Sequence, residues 1–273
     1  MSPLVKFVAL TYAVTWTCFA AAAVLSGSTA FAVPALAALR WPLLILGAFA
    51  PSAVAVGLTT RSEGRAGALA LLRRVLAWRV GVQWYVFALG YMAAIKLAVA
   101  LVFRVVTGAW PAFGHQAWYI VLAALVVATI FGGPLGEEIG WRGYALPRLA
   151  EQYGLARASL LVGVIWACWH IPVFFIPGLD QYGQSFPVYV LQVTALSVAM
   201  AWLYAHTNGS LLLAILMHSA INQSKDIVPS GRSVVTNPFA LNASLVAWLT
   251  IALLWISAGY FLVRMSKAEA SRS

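Results

Sequence analysis

The sequence predicts an all-α, polytopic membrane protein of about eight spanning helices, and three observations carry that prediction. The chain is 63% hydrophobic and 9% charged, whereas a typical soluble domain is about 25% charged and under half apolar. Its mean hydropathy is +0.89. The apolar residues are gathered into long runs, and a helix needs about 20 of them to cross a bilayer. The 273 residues suffice for a single integral-membrane domain spanning 1–273, with nothing left over for a second.

The expected spans run approximately 4–25, 41–58, 80–106, 116–135, 158–176, 186–206, 209–224 and 241–263. The first follows a single charge, Lys6, and its apolar run is longer than the roughly 7–15 residues of a signal-peptide core. It is therefore read as a membrane helix. The third contains Lys96, whose ammonium requires tilt or a partner. The seventh is short and polar at its far end, so it requires shielding by its neighbours. Three stretches interrupt the pattern. Residues 59–79, basic and partly amphipathic, read as a helix lying on the membrane surface. Residues 137–154 read as a continuation of the fourth helix that leaves the membrane and turns at Gly154. Residues 225–240, rich in Ser, Pro, Asn and Gly, read as an external loop.

The formal charge of +10 invites a nucleic-acid partner. That class is excluded because Lys and Arg stand in loops between apolar runs and not on one basic face. They act instead as topology determinants. With the N-terminus inside, Lys6, Arg61, Arg65, Arg73, Arg74, Arg79, Arg142, Arg148, Arg157, Arg264, Lys267 and Arg272 are cytoplasmic. Arg40, Arg104, Lys225 and Arg232 are then outside, a clear positive-inside bias. Both termini are expected in the cytoplasm, with the protein in the plasma or inner membrane if the source is bacterial. Cys18 and Cys168 both lie in apolar segments and read as small buried hydrophobes.

Seven acidic residues occur in the chain, and two stand side by side at Glu137-Glu138, directly after an apolar run. A carboxylate near hydrocarbon is expensive, which marks this stretch as a candidate catalytic centre. On a helix, residues four apart share a face while adjacent ones diverge by about 100°. Glu138 and Arg142 are thus placed to pair as a structural clamp, and Glu137, without a local cation, is free to act on a ligand. The alternative is an interfacial ion-pair cluster at a helix end. His170 lies in the fifth segment with Trp166 on its face, and His218 lies in the seventh with Asn222 on its face. A lone intramembrane His is commonly a packing residue; two, with an Asn and a free Glu, point together to chemistry. His115, in an external loop, and His206, beside the turn Thr207-Asn208-Gly209-Ser210, are not candidates. Cys168 is two residues from His170, and Ser219 is adjacent to His218. Neither spacing makes a nucleophile–base pair on a helix.

Glu137-Glu138-x-x-x-Arg142, an aromatic residue four before His170, and His218-x-x-x-Asn222, in this order on successive helices, resemble the CPBP family of intramembrane proteases. That family comprises type-2 CAAX prenyl proteases and bacteriocin-processing, Abi-type relatives. The resemblance covers about residues 129–224, with a catalytic core of about 116–225 formed by helices 4, 5 and 7. The first three spans match only in being hydrophobic. Trp166 stands where many members carry Phe, which keeps an aromatic. The resemblance implies that Glu137, helped by His170, activates a water, while His218 and Asn222 stabilise the oxyanion. Loss of one such donor typically costs roughly 10²–10³ in rate.

Glu137, His170 and His218 would also make a His₂Glu set of the kind that holds catalytic zinc. The soluble motif H-E-x-x-H is absent, and a metal-free mechanism without cofactor is the expectation, with zinc as the alternative. The substrate expected from the resemblance is a membrane-associated protein or peptide, possibly lipidated or a precursor, cut near the cytoplasmic face. Two other classes remain: an ion- or proton-coupled transporter, against which the absence of internal symmetry argues, and a non-catalytic scaffold or immunity protein.

One geometric problem is visible in advance. At 1.5 Å per residue, Glu137 lies about 28 Å from Trp118, and His170 about 20 Å beyond Arg157. The two meet only if the fourth helix is tilted or broken, and Gly132-Gly133-Pro134 supplies a break.

Overall fold

A computed structural model describes residues 2–25, 38–230 and 237–271. Among these residues there is no strand. The α-helices, in chain order, are α1 (Pro3–Leu25), α2 (Arg40–Arg73), α3 (Val82–Thr107), α4 (Trp118–Phe131), α5 (Gly133–Gly140), α6 (Leu146–Tyr153), α7 (Leu155–Trp169), α8 (Phe186–His206), α9 (Leu211–Ser224) and α10 (Leu245–Ala270). A π-helical turn, Trp141–Ala145, joins α5 to α6.

All eight apolar segments are helical, but the number able to cross a bilayer is smaller than eight. Among the described residues six helices are long and apolar enough, and seven if α4 and the run Gly133–Tyr153 form one bent span. The difference lies in α9, which has 14 residues and so reaches only about 21 Å. Ser210 caps its start, accepting from Leu213 N–H (3.3 Å) while donating to Ala77 O (2.7 Å). Its N-terminus is thereby pinned to the loop after α2. Such a helix must be enclosed by neighbours, and Leu211, Leu213, Met217 and Ser219 along it are buried. With these helices the chain is an integral membrane protein.

Within the stretch 59–79 the backbone turns non-helical at Gly64 (φ 72°, ψ -174°), so α2 is two helical pieces meeting at a kink, and the second piece ends in the 3₁₀ turn Arg74–Leu76. Leu71 packs into the core, while Leu69, Leu72 and Leu76 stay exposed. Of the residues assigned to the two sides, Arg232 and Arg272 lie outside the described residues, as does part of the loop 225–240. Arg142, one of the residues assigned to the cytoplasmic side, is fully buried in the protein.

The close approach that builds the centre is between α2 and α5. A Cβ on Gly136 would stand 2.8 Å from Ala48 O, and one on Gly140 would stand 2.6 Å from Pro51 O. Glycines four apart let two backbones approach within contact, the small-xxx-small device of membrane helices. Ser52 Oγ adds a bond to Leu135 O across this seam (3.0 Å). Around it, Phe7, Trp141, Tyr144 and Trp169 fill the core, with Phe7 5.4 Å from Trp141 and 5.0 Å from Tyr144 between ring centres. Lys96, buried in the middle of α3, directs its ammonium to Val228 O (3.0 Å), Ser230 Oγ (3.2 Å) and Thr250 Oγ1 (3.5 Å). That answers the need for a partner with three neutral acceptors. Helix α4, by contrast, has no buried residue.

Candidate active site

The break before the carboxylates sits at Gly132, where α4 gives way to α5 with a bend of 45°. Pro134 occupies the first turn of α5, a position that needs no backbone donor. The bend is only half of how Glu137 reaches His170. The other half is the hairpin at Gly154. Glu137 precedes that glycine by 17 residues and His170 follows it by 16, so both stand roughly 25 Å from the same turn. The run Gly133–Tyr153 and helix α7 descend and return side by side. The polar end of the run is therefore Gly154, far below Glu137.

Helix α7 stops at Trp169, and His170 opens the 3₁₀ turn Ile171–Phe175. Pro172 explains the stop, since its ring and missing N–H cannot continue an α-helix. His170 Nδ1 lies 2.9 Å from Trp166 O. A carbonyl only accepts, so Nδ1 carries a proton, and in the neutral ring the lone pair is then on Nε2. The ring is boxed by Trp169 (4.6 Å), Tyr189 (5.4 Å) and Trp166 (5.9 Å).

The two carboxylates have different partners. Glu138 Oε1 accepts from Arg142 Nη1 (2.9 Å) and from His218 Nδ1 (2.7 Å). Glu138 and Arg142 are both 0% exposed. Arg142 also reaches Met200 Sδ (3.2 Å) and lies over the Trp166 ring, 4.3 Å from its centre. Glu137 stands apart from this cluster, and Trp166 Nε1–H donates to its Oε2 (2.7 Å). Its Oε1 points back along the first turn of α5, 3.2 Å from where a Cβ on Gly133 would be. His218 is near enough to Glu137 and to His170 to interact electrostatically with each. Asn222 follows His218 by one turn of α9, half-buried.

Glu137, His170 and His218 are thus gathered around one side chain, Trp166, whose ring is 5.1 Å from that of His218. Three contacts were not legible in advance: the Trp166–Glu137 bond, the link from His218 to Glu138, and the packing of Tyr189 on His170. The first two cross between helices, where sequence spacing is silent. Nothing in the sequence marks Tyr189.

The donor set also bears on zinc. Among the described residues no three His, Cys, Asp or Glu side chains converge so as to hold a metal ion. His218 turns Nδ1 to Glu138 and His170 turns Nδ1 to a carbonyl, so Nε2 is the nitrogen that each ring leaves open to a ligand.

Residues 117–224 match the family model described as type II CAAX prenyl endopeptidase Rce1-like. The chain is also similar to a curated protein, CAAX prenyl protease 2 of Methanococcus maripaludis, with 33% identity over 114 residues. That match covers 40% of this chain and 40% of the relative's length. Over the segment that holds Glu137, His170, His218 and Asn222, this chain is thus similar to type II CAAX prenyl endopeptidases, while it spans about two fifths of the length of the curated relative it matches.

Proposed function

We propose that this protein is an intramembrane endopeptidase that hydrolyses a peptide bond of a membrane-associated protein, with a prenylated C-terminal tail as the first substrate class to test. One observation carries the reading. Glu137 is buried and makes no ion pair among the described residues, while its neighbour Glu138 holds both Arg142 and His218. A carboxylate so placed has no ion pair to explain it, and it shares its neighbour Trp166 with two imidazoles.

In the mechanism, Glu137, helped by His170, takes the proton of a water whose oxygen attacks the scissile carbonyl carbon. His170 Nε2, with its lone pair free, suits acceptance. As the carbonyl carbon becomes tetrahedral, negative charge collects on its oxygen, and His218 and Asn222 donate to it. For His218 to donate through Nε2 while Nδ1–H faces Glu138, the ring must carry both protons, and Glu138 is its counter-ion. The proton then passes to the leaving nitrogen and the C–N bond breaks. Glu138 and Arg142 hold this frame without touching substrate. The whole chain acts as one integral-membrane domain with its catalytic core at about 116–225, and both termini face the cytoplasm on the strength of the Lys and Arg distribution. Zinc is not needed for these steps.

The test uses protein reconstituted in vesicles with a farnesylated CAAX peptide carrying a fluorophore and a quencher, and in parallel with a membrane-protein extract. The wild-type protein is expected to release fluorescence or to create new termini detected by mass spectrometry, and Glu137→Ala to do neither. Retained cleavage by the variant, or no new product in either arm, overturns the proposal.

A further inference from the structure

Trp166 is the only hydrogen-bond donor to the Glu137 carboxylate among the described residues. A carboxylate at the end of a glutamate chain rotates in a broad, two-fold well. No ion pair holds this carboxylate among the described residues, so a hydrogen bond is what can select which oxygen faces the reacting water. The indole decides it by binding Oε2, which leaves Oε1 presented on the Gly133 side.

The indole can serve this way because it is itself immobile. Trp166 is 4% exposed. One face lies under the Arg142 guanidinium, and its edges meet His218 and His170. Its own carbonyl receives the Nδ1–H of His170. One residue therefore orients the base Glu137 through its side chain and the base His170 through its backbone. A phenyl ring in the same place would keep the packing and the cation contact, but it has no N–H to give.

We infer that Trp166 is a positioning residue of the reaction: its indole N–H fixes the carboxylate of Glu137 so that Oε1 meets the attacking water. The inference rests on the reading of Glu137 as the base. Hydrogen bonds to ionised groups are stronger than neutral ones, and the loss of this one should lower kcat roughly 10–100-fold. KM should not move, because Trp166 touches the base and not the substrate.

The experiment compares wild type, Trp166→Phe and a protein carrying 3-benzothienylalanine at position 166, in which sulfur replaces the N–H and little else changes. With the farnesylated CAAX probe, both variants are expected to lose kcat with unchanged KM. Independently of activity, the indole ¹⁵N–¹H resonance of Trp166, assigned by its absence in the benzothienyl protein, is expected to shift in Glu137→Gln. Wild-type kcat in the benzothienyl protein, or an unmoved resonance, overturns the inference. Cleavage retained by Glu137→Gln would instead overturn the proposed function, and the resonance would still report whether the bond exists.

Discussion

Replacing Glu138 by Gln tests the frame of the site most severely. The change keeps the size of the side chain and one carbonyl acceptor for Arg142 Nη1 and His218 Nδ1, but it removes the charge. Arg142 is 0% exposed, its other side-chain contacts are the Met200 sulfur and the Trp166 ring, and its Nε has no partner among the described residues. Breaking such a buried pair from one side leaves an uncompensated ion and typically costs about 3–5 kcal/mol. For a chain of this size each kcal/mol moves the melting point by about 2–4 °C, so a fall of roughly 6–20 °C is expected. Tryptophan fluorescence during heating in detergent reads it directly. The double variant Glu138→Leu with Arg142→Met removes both charges, and it should recover much of the loss, as apolar replacements of buried pairs often do. His218 loses its acceptor in that protein, so activity should not return. A wild-type melting curve for Glu138→Gln would refute the buried clamp.

Other consequences follow from the same contacts. Gly140→Ala places a Cβ 2.6 Å from Pro51 O, and backbone cannot yield there; overpacking of this kind costs about 1–3 kcal/mol, measurable in the same melt, and an unchanged curve would mean that α2 and α5 are not in close contact. Ser210→Ala removes the cap of α9 and the tie to Ala77 O, with an expected cost of about 1 kcal/mol and no change in KM. Treatment with EDTA should leave cleavage intact. Loss of activity restored by zinc, with stoichiometric metal in the active protein, would establish a metal mechanism instead.

The sequence carried the local part of this architecture and not the part built between helices. The pairing of Glu138 with Arg142 is a four-residue spacing on one helix, and the cap at Ser210 is a turn signature; both are readable from neighbours in the chain. The reach of Glu137 to His170 was harder, because it was measured from Trp118 and Arg157. The distance that matters runs from Gly154, about which the two residues are nearly symmetric. The burial of Arg142 follows from the same local spacing, since a carboxylate four residues back lets the arginine stay in the core. The span count fell short of eight because α9 needs enclosure more than length. The orientation of Trp166 depends on Arg142, His218 and Glu137 at once, a convergence of three helices that no window of sequence contains.

The most direct test of the account is the cleavage rate of Glu137→Gln on the farnesylated CAAX probe at matched fold. The amide keeps an oxygen that can accept from Trp166 Nε1–H, so the melting point should stay close to wild type while the ability to take a proton is lost. The account predicts a rate lower by about 10²–10⁴, the span typical of a general base. A rate equal to wild type in a protein that melts normally would contradict it.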